Sequence, residues 1–165
     1  MHPPRSTHAI ENVGDYPRPP RVEAANQRAR IWVGDALICD APSVVRVLET
    51  FHPPGIYLSP SAFVDGALQP ARDSRTTYCE FKGVATYLGV HAAGGLVLER
   101  AAWTYASPTA GYEAIAGLIA VYPGLMTRCE LDDEPVTAQP GDFYGGWTTS
   151  WIEGPIKGAP GTTHW

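Results

Sequence analysis

The chain lacks a run of about 18 apolar residues, the length that a membrane-spanning helix requires, so we expect no membrane partner. Charge is also sparse. Charged residues make up 18% of the 165 residues, and 12 basic against 17 acidic side chains give a formal net charge of -5. Nucleic-acid binding depends on clustered lysine and arginine, so the composition argues against a nucleic-acid partner.

Cysteines and metal-ligand patterns are scarce as well. The three cysteines, Cys39, Cys79 and Cys129, are far apart in sequence, which does not fit a disulfide framework. No histidine stands at ligand spacing from another histidine or from a cysteine, so we expect neither a metal nor a cofactor. The first residues have no apolar centre of the kind found in a signal peptide. Together with free thiols, this favours the cytoplasm.

Glycine and proline are abundant. They account for 33 of the 165 residues, one fifth of the chain, against roughly 12% on average. The chain therefore turns often and has little room for long helices, while 44% hydrophobic residues suffice for a core. We expect a flexible tail over residues 1–10 and a single β-rich domain over residues 11–165.

Short apolar and β-branched runs between turn signals predict a mainly β fold. Residues 29–39 predict a hairpin with Gly34-Asp35 as its two-residue turn. Residues 76–90 predict the longest strand. Ser59-Pro60 and Ser107-Pro108 each predict the start of a short helix. We expect two packed antiparallel sheets or a partly open barrel, with two short helices.

The strand predicted around Arg46 carries two ionisable groups on opposite faces. Alternation places Glu49 on the face of Val47 and Arg46 on the other face. Because Arg46 follows two valines, its charge requires a partner. Glu80, Asp142 and a ligand are the alternatives.

The predicted central strand contains further candidate groups. An extended chain places Glu80 and Lys82 on one face and Thr77 and Cys79 on the other. Lys82 either forms an ion pair with Glu80 in solvent or stands at the mouth of a groove, where it meets an anionic or carbonyl ligand. Cys79 is either a small core side chain or a nucleophile, although no histidine lies near it in sequence.

The basic residues are unevenly divided between ten arginines and two lysines, Lys82 and Lys157. Both lysines follow a bulky apolar residue and precede a glycine. Genome composition is one explanation of the bias. A requirement for a compact ammonium group at these two positions is the other.

The last 27 residues combine many glycines with three of the five tryptophans, Trp147, Trp151 and Trp165. A flexible linker has no use for such large apolar rings. The pattern therefore predicts an irregular segment that is pinned to the body by its indole rings.

Several segments together resemble a known bacterial family. They are DYPRPP at residues 15–20, RVLET at 46–50, TTYCEFKG at 76–83, AWTY at 102–105, GDFYGGW at 141–147 and GPIKGAPGT at 154–162. In these motifs the chain is similar to the bacterial domain of unknown function 427 family, whose label mentions nucleotidyltransferase. The resemblance implies a mainly antiparallel β domain similar to the β-tent group, in which two sheets meet at one edge and splay at the other.

Two functions remain open at the level of sequence. The first is a small-molecule site, binding or catalytic, in an aromatic-lined cleft between the sheets. Its candidate catalytic residues are Glu49, Lys82 and Cys79, and its candidate ligand-binding residues are Arg46, Thr77, Trp103, Tyr105, Tyr144 and Trp147. The second is an interaction module without chemistry, in which a segment contacts a second copy in a homodimer. That segment is the proline-rich N-terminal arm, which begins at about residue 11, or the tryptophan-rich C-terminal tail, residues 139–165.

Overall fold

The secondary structure consists almost entirely of short β-strands. The computed structural model describes residues 8–141 and 144–158. Residues 1–7, 142–143 and 159–165 lie outside this part, and they include the predicted candidates Asp142 and Trp165. The strands are β1 (Glu11–Asn12), β2 (Arg21–Ala25), β3 (Ala29–Val33), β4 (Ala36–Ala41), β5 (Val44–Leu48), β6 (Gly55–Tyr57), β7 (Leu68–Pro70), β8 (Thr77–Cys79), β9 (Gly83–His91), β10 (Val97–Thr104), β11 (Ile119–Val121), β12 (Arg128–Leu131), β13 (Glu134–Pro135), β14 (Thr137–Ala138), β15 (Trp147–Thr148) and β16 (Ile152–Glu153). The helical pieces are single 3-10 turns at Val13–Asp15, Pro60–Ala62, Ala93–Gly95, Glu113–Ile115 and Pro123–Leu125.

Most of these strands belong to three antiparallel sheets. The largest has the order β11-β10-β9-β7, and β8 also pairs with β9. A second has the order β13-β12-β3-β4, and a third the order β2-β5-β6. The parallel pair of β1 and β16 joins the N-terminal arm to the C-terminal tail. The mainly β, antiparallel prediction is confirmed, and no sheet in the described residues closes into a barrel.

Neither predicted helix is an α-helix in the described residues. At the first, Ser59 caps Ser61 as expected, with Pro60 at the first position, but the turn ends at Ala62. Phe63 instead pairs with Cys39 at the edge of β4. At the second, the Thr109 amide donates to the Lys82 carbonyl at 3.0 Å. This amide is the one that a capping Ser107 side chain would bind, and it is instead bound by the carbonyl of a distant loop.

The long central strand is also corrected. It is a hairpin in which β8 and β9 pair from Thr77 with Ala85 to Cys79 with Gly83. Residues 80–82 form the turn, so Lys82 lies on a loop rather than on a strand face. Gly83 adopts a φ of 106° directly after this turn, a conformation that favours glycine.

Two apolar clusters divide the interior. Val44 and Leu48 of β5 belong to the main core, whereas Val47 belongs to a second cluster around Tyr57 and Tyr105. The predicted alternation of β5 is therefore correct. Trp147 and Trp151 are buried in the main core, so the tail is packed over its described residues, while Trp165 lies outside them.

Candidate functional site

A cavity of about 480 Å³ opens beside the second apolar cluster. Its walls come from β5 and β6, from the β8–β9 hairpin, from β10 and from the tail between Gln139 and Lys157. The volume lies within the range of roughly 300–1,000 Å³ that small-molecule sites occupy. A second hollow of about 450 Å³ beside Ala24 and Ser43 is lined by no charged side chain, so the first is the better candidate for chemistry.

Aromatic side chains form the floor of this cavity. Tyr57 accepts a hydrogen bond of 3.3 Å from the Trp103 indole nitrogen, and the Trp103 and Tyr122 rings lie 4.6 Å apart. Burial raises the pKa of Tyr57, and it raises the pKa of Tyr105 although Lys82 opposes the effect. Both hydroxyls therefore stay protonated at neutral pH, and the floor is neutral, flat and mostly apolar.

The β8–β9 hairpin supplies the opposite wall. Thr77 and Tyr87 face each other across the hairpin and share a hydrogen bond of 2.9 Å between their hydroxyl oxygens. Cys79 and Lys82 also line the cavity. The Lys82 ammonium lies 5.7 Å from the centre of the Tyr105 ring, within the range of a cation–π contact.

The tail closes the cavity from a third side. Lys157 brings a second ammonium group, whose nitrogen lies 5.8 Å from the centre of the Tyr144 ring. The Lys157 amide donates to the Phe51 carbonyl at 2.7 Å. Gly145 lies so close to Trp103 that a Cβ there would stand 2.2 Å from the indole. The absence of a side chain lets the tail pack flat against this wall.

A tight turn at the end of β5 contributes Glu49 and His52. The His52 amide donates to the Glu49 carbonyl at 3.0 Å, which closes the turn. The Glu49 Oε2 and His52 Nε2 atoms are 3.9 Å apart, and the two side chains are 22% and 17% exposed. Burial lowers the pKa of His52, Lys157 and Lys82 lower it further, and Glu49 opposes the change.

The structure brings most of the candidate residues together. Seven of the nine that the sequence suggested line the cavity, namely Glu49, Thr77, Cys79, Lys82, Trp103, Tyr105 and Tyr144. The sequence reasoning missed His52, Gln139 and the role of Lys157 in the same cavity. The scarcity of lysine in the sequence drew attention to Lys157, but nothing in the sequence placed it in the same cavity as Lys82.

Arg46 and Trp147 are placed elsewhere. Arg46 is 6% exposed, and its guanidinium donates to Glu11 at 2.5 Å and to Glu23 at 2.7 Å. Its partners are therefore neither Glu80 nor a group in the cavity. Trp147 is 1% exposed in the main core, so it is not a wall of this cavity.

Metal ligands do not cluster in the part of the chain that the structure describes. No group of three or more histidine, cysteine, aspartate or glutamate side chains is close enough there to hold an ion. No helix within the same residues is long and apolar enough to cross a membrane.

The fold and the cavity define a class: a mainly antiparallel β domain with a polar, aromatic-lined hollow. Residues 21–132 match the family described as Domain of unknown function (DUF427), labelled NTP_transf_9. The match covers more than half of the chain, so the chain belongs to this family. No curated protein matches the chain. The cavity residues Gln139, Tyr144 and Lys157 lie beyond the matched range.

Proposed function

We propose that this protein binds a small organic acid with a planar, partly apolar body in the cavity beside Tyr57 and Trp103. The observation that carries the proposal is the position of the two lysines. Lys82 and Lys157 are 75 positions apart in a chain that otherwise uses arginine, yet both line the same cavity. Compact ammonium groups at one site suit a carboxylate or phosphate group.

The walls indicate the rest of the ligand. Tyr57, Trp103 and Tyr105 offer flat apolar surface, and planar groups pack well against such rings. Glu49 lies in the same cavity, so a second negative group on the ligand would be repelled there. We therefore infer one acidic group near the lysines and a neutral or proton-donating group near Glu49.

The family resemblance implies a β-tent-like arrangement, and sheets that splay at one edge leave room for such a hollow. The alternative, an interaction module or homodimer, rests on an arm that reaches a second copy. In the structure the arm contacts its own chain. The Glu11 amide donates to the Trp151 carbonyl at 2.8 Å, and the Tyr112 hydroxyl donates to the Pro20 carbonyl at 2.9 Å. No observation in the described residues favours the alternative.

The proposal is tested by ligand-induced thermal stabilisation followed by calorimetric titration. The probes are phenylpyruvate, benzoate and adenosine monophosphate, with benzyl alcohol as the uncharged control. We expect an acidic probe to bind and benzyl alcohol not to bind. Lys82→Met and Lys157→Met should each weaken binding about tenfold or more, because a hydrogen bond to a charged group contributes about 1.5–3 kcal/mol.

Arg72→Met serves as the matched control, since Arg72 is an exposed cation outside the cavity. It should leave the affinity unchanged. If both lysine variants bind the acidic probe as the wild type does, the lysines are not part of the site and the proposal is wrong.

A further inference from the structure

The side chain of Gln139 has only one possible orientation. Its Oε1 accepts a hydrogen bond of 3.1 Å from the Gly146 amide, and its Nε2 donates to the Lys157 carbonyl at 2.9 Å. A backbone amide cannot accept and a carbonyl cannot donate, so the amide cannot be flipped. Gln139 is only 4% exposed, and water does not compete for these bonds.

This orientation decides the tautomer of His52. The Gln139 Nε2 atom also lies 3.0 Å from His52 Nδ1. Since Nε2 of Gln139 can only donate, His52 Nδ1 must accept. A neutral imidazole carries one proton, so that proton is on Nε2. This nitrogen is the one nearest Glu49.

The surroundings of His52 also keep it neutral. Burial lowers its pKa from 6.5, and the cations Lys157, Lys82 and Arg18 lower it further against the opposing effect of Glu49. Protonation at Nδ1 would in addition place two donors face to face at Gln139. His52 is therefore a neutral hydrogen-bond donor at neutral pH and not a base.

Glu49 is the complementary group. Its carboxylate is 3.9 Å from His52 Nε2, longer than a hydrogen bond. Over residues 8–141 and 144–158 no hydrogen bond holds this carboxylate, and Glu49 lines the cavity beside His52. Both polar atoms are therefore available to one bound molecule. The positive φ of Phe51 (68°) in the intervening turn fits strain stored at a functional site.

We propose that Glu49 and His52 form a proton-transfer site for a carbonyl-bearing acid held by the lysines. Glu49 removes a proton from the carbon next to the carbonyl group, and an O–H bond forms on Glu49 as the C–H bond breaks. The released electron pair forms a carbon–carbon double bond, and the carbonyl π electrons move to the oxygen. The Nε2–H group of His52 donates to this oxygen, because a neutral imidazole can polarise a carbonyl. Return of the proton from Glu49 completes the cycle without a further reactant.

This inference rests on the proposed function and deepens it to a reaction class. The first test needs no ligand and no variant. Nitrogen-15 NMR of the histidine rings at neutral pH should show His52 with a protonated Nε2 and an unprotonated Nδ1, and the pKa of the ring should lie below 6.5. A protonated Nδ1, or a ring that is charged at neutral pH, would overturn the assignment.

A substitution of Gln139, a positioning residue, provides the matched spectroscopic test. In Gln139→Glu, an ionised carboxylate oxygen faces His52 Nδ1 and accepts a hydrogen bond from it when Nδ1 is protonated. The pKa of His52 should rise above its wild-type value. An unaltered pKa of His52 would show that Gln139 does not control its protonation, and the tautomer argument would fail.

The activity is measured with phenylpyruvate in deuterium oxide. Proton NMR follows exchange at the carbon next to the carbonyl, and titration calorimetry measures binding in the same samples. We expect exchange faster than in buffer, and a loss of about 100-fold or more in Glu49→Gln, as removal of a general base costs. His52→Phe should reduce exchange as well, while Arg72→Met should not.

The outcomes separate the two proposals. If phenylpyruvate does not bind, the proposed function fails for an aromatic acid and the inference fails with it. If phenylpyruvate binds but exchanges only at the buffer rate, the binding function stands and the proton-transfer site is wrong. If exchange is catalysed equally by Glu49→Gln, Glu49 is not the base and the inference is also wrong.

Discussion

Arg46 shows how the chain handles a buried cation without a ligand. It is 6% exposed and bonded to Glu11 and Glu23, whose carboxylates are 32% and 37% exposed. Removing one partner of a fully buried ion pair costs roughly 3–5 kcal/mol. Because both carboxylates are partly solvated, we expect Arg46→Met to lower the free energy of unfolding by about 2–3 kcal/mol.

Urea unfolding measures this effect. The matched control is Arg21→Met. Arg21 is exposed, and its ion pair with the same Glu23 is long, with 3.7 Å between Arg21 Nη2 and Glu23 Oε2. It should change the free energy of unfolding by no more than about 0.5 kcal/mol. Equal losses in the two variants would show that burial of Arg46 does not matter.

The same network predicts a dependence of stability on pH. Burial alone would raise the pKa of Glu11, but hydrogen bonds from Arg46 and Tyr16 hold it below 4.5. A carboxyl group with a lowered pKa in the folded state stabilises the fold above its unfolded pKa, and this contribution is lost as the pH falls through its folded pKa. Between about pH 5 and pH 3 the wild type should therefore lose stability more steeply than Glu11→Gln.

Chemical unfolding at several pH values gives the two slopes. Glu11→Gln keeps part of the slope, because Arg28 lowers the pKa of Asp40 and Arg75 lowers the pKa of Asp73 to about 2. Parallel slopes in the wild type and in Glu11→Gln would contradict the prediction.

At the scale of elements, the sequence predicts local structure best where one signal acts alone. The hairpin of β3 and β4 forms around Gly34 and Asp35, because a two-residue turn signal between apolar runs strongly favours a β-hairpin. The β5 strand presents Val44 and Val47 to different clusters, as alternation requires. Such patterns need no knowledge of the rest of the chain.

The predictions from sequence are wrong where contacts with residues far along the chain determine the local structure. The 76–90 stretch folds back at residues 80–82, and the Thr109 amide and side chain bond to the carbonyls of Lys82 and Phe81. No short-range signal reveals that partner. A capping serine and a proline start a turn at Ser59, but they do not determine its length. The turn ends at Ala62 because Phe63 pairs with Cys39 of β4.

Gly145 allows an element-scale prediction about the cavity wall. Its backbone conformation is open to alanine, but the new Cβ would lie 2.2 Å from the Trp103 ring. Gly145→Ala should therefore displace Trp103, lower the free energy of unfolding by about 1–3 kcal/mol as overpacking does, and weaken binding of an acidic probe at least about tenfold. Calorimetry and urea unfolding measure the two effects.

Gly124→Ala is the control, because its new Cβ would only touch Ala138 at 3.4 Å. It lies outside the cavity and should leave probe affinity unchanged. Wild-type affinity in Gly145→Ala would show that the position of Trp103 is not important for the site.

At the scale of the whole molecule, the site depends on both ends of the described chain. The turn between Glu49 and His52 is held by the arm, since the Phe51 amide donates to the Val13 carbonyl at 3.0 Å. It is held by the tail as well, since Lys157 and Trp147 donate to the carbonyls of Phe51 and Pro54. Seven of the nine candidates that the sequence suggested line the cavity. His52 and Gln139 were not among the candidates, because their role follows only from the contacts between arm, turn and tail.

This arrangement predicts that the arm stabilises the turn that carries Glu49 and His52. Val13 is fully buried, so Val13→Ala should lower the free energy of unfolding by about 2 kcal/mol. Because Val13 also positions the carbonyl that holds Phe51, the amides of Phe51 and Lys157 should exchange with solvent faster, by a larger factor than the buried amides of β3. Hydrogen exchange followed by NMR separates such local opening from global unfolding.

Ile10→Ala is the control for this last comparison, because Ile10 stands on the same arm but is 60% exposed. It should change the free energy of unfolding by no more than about 0.5 kcal/mol and leave exchange at Phe51 unaltered. If Val13→Ala accelerates the amides of β3 and of Phe51 by the same factor, the whole molecule opens at once. The arm then adds only general stability, and the turn that carries Glu49 and His52 is held by the tail and by β5.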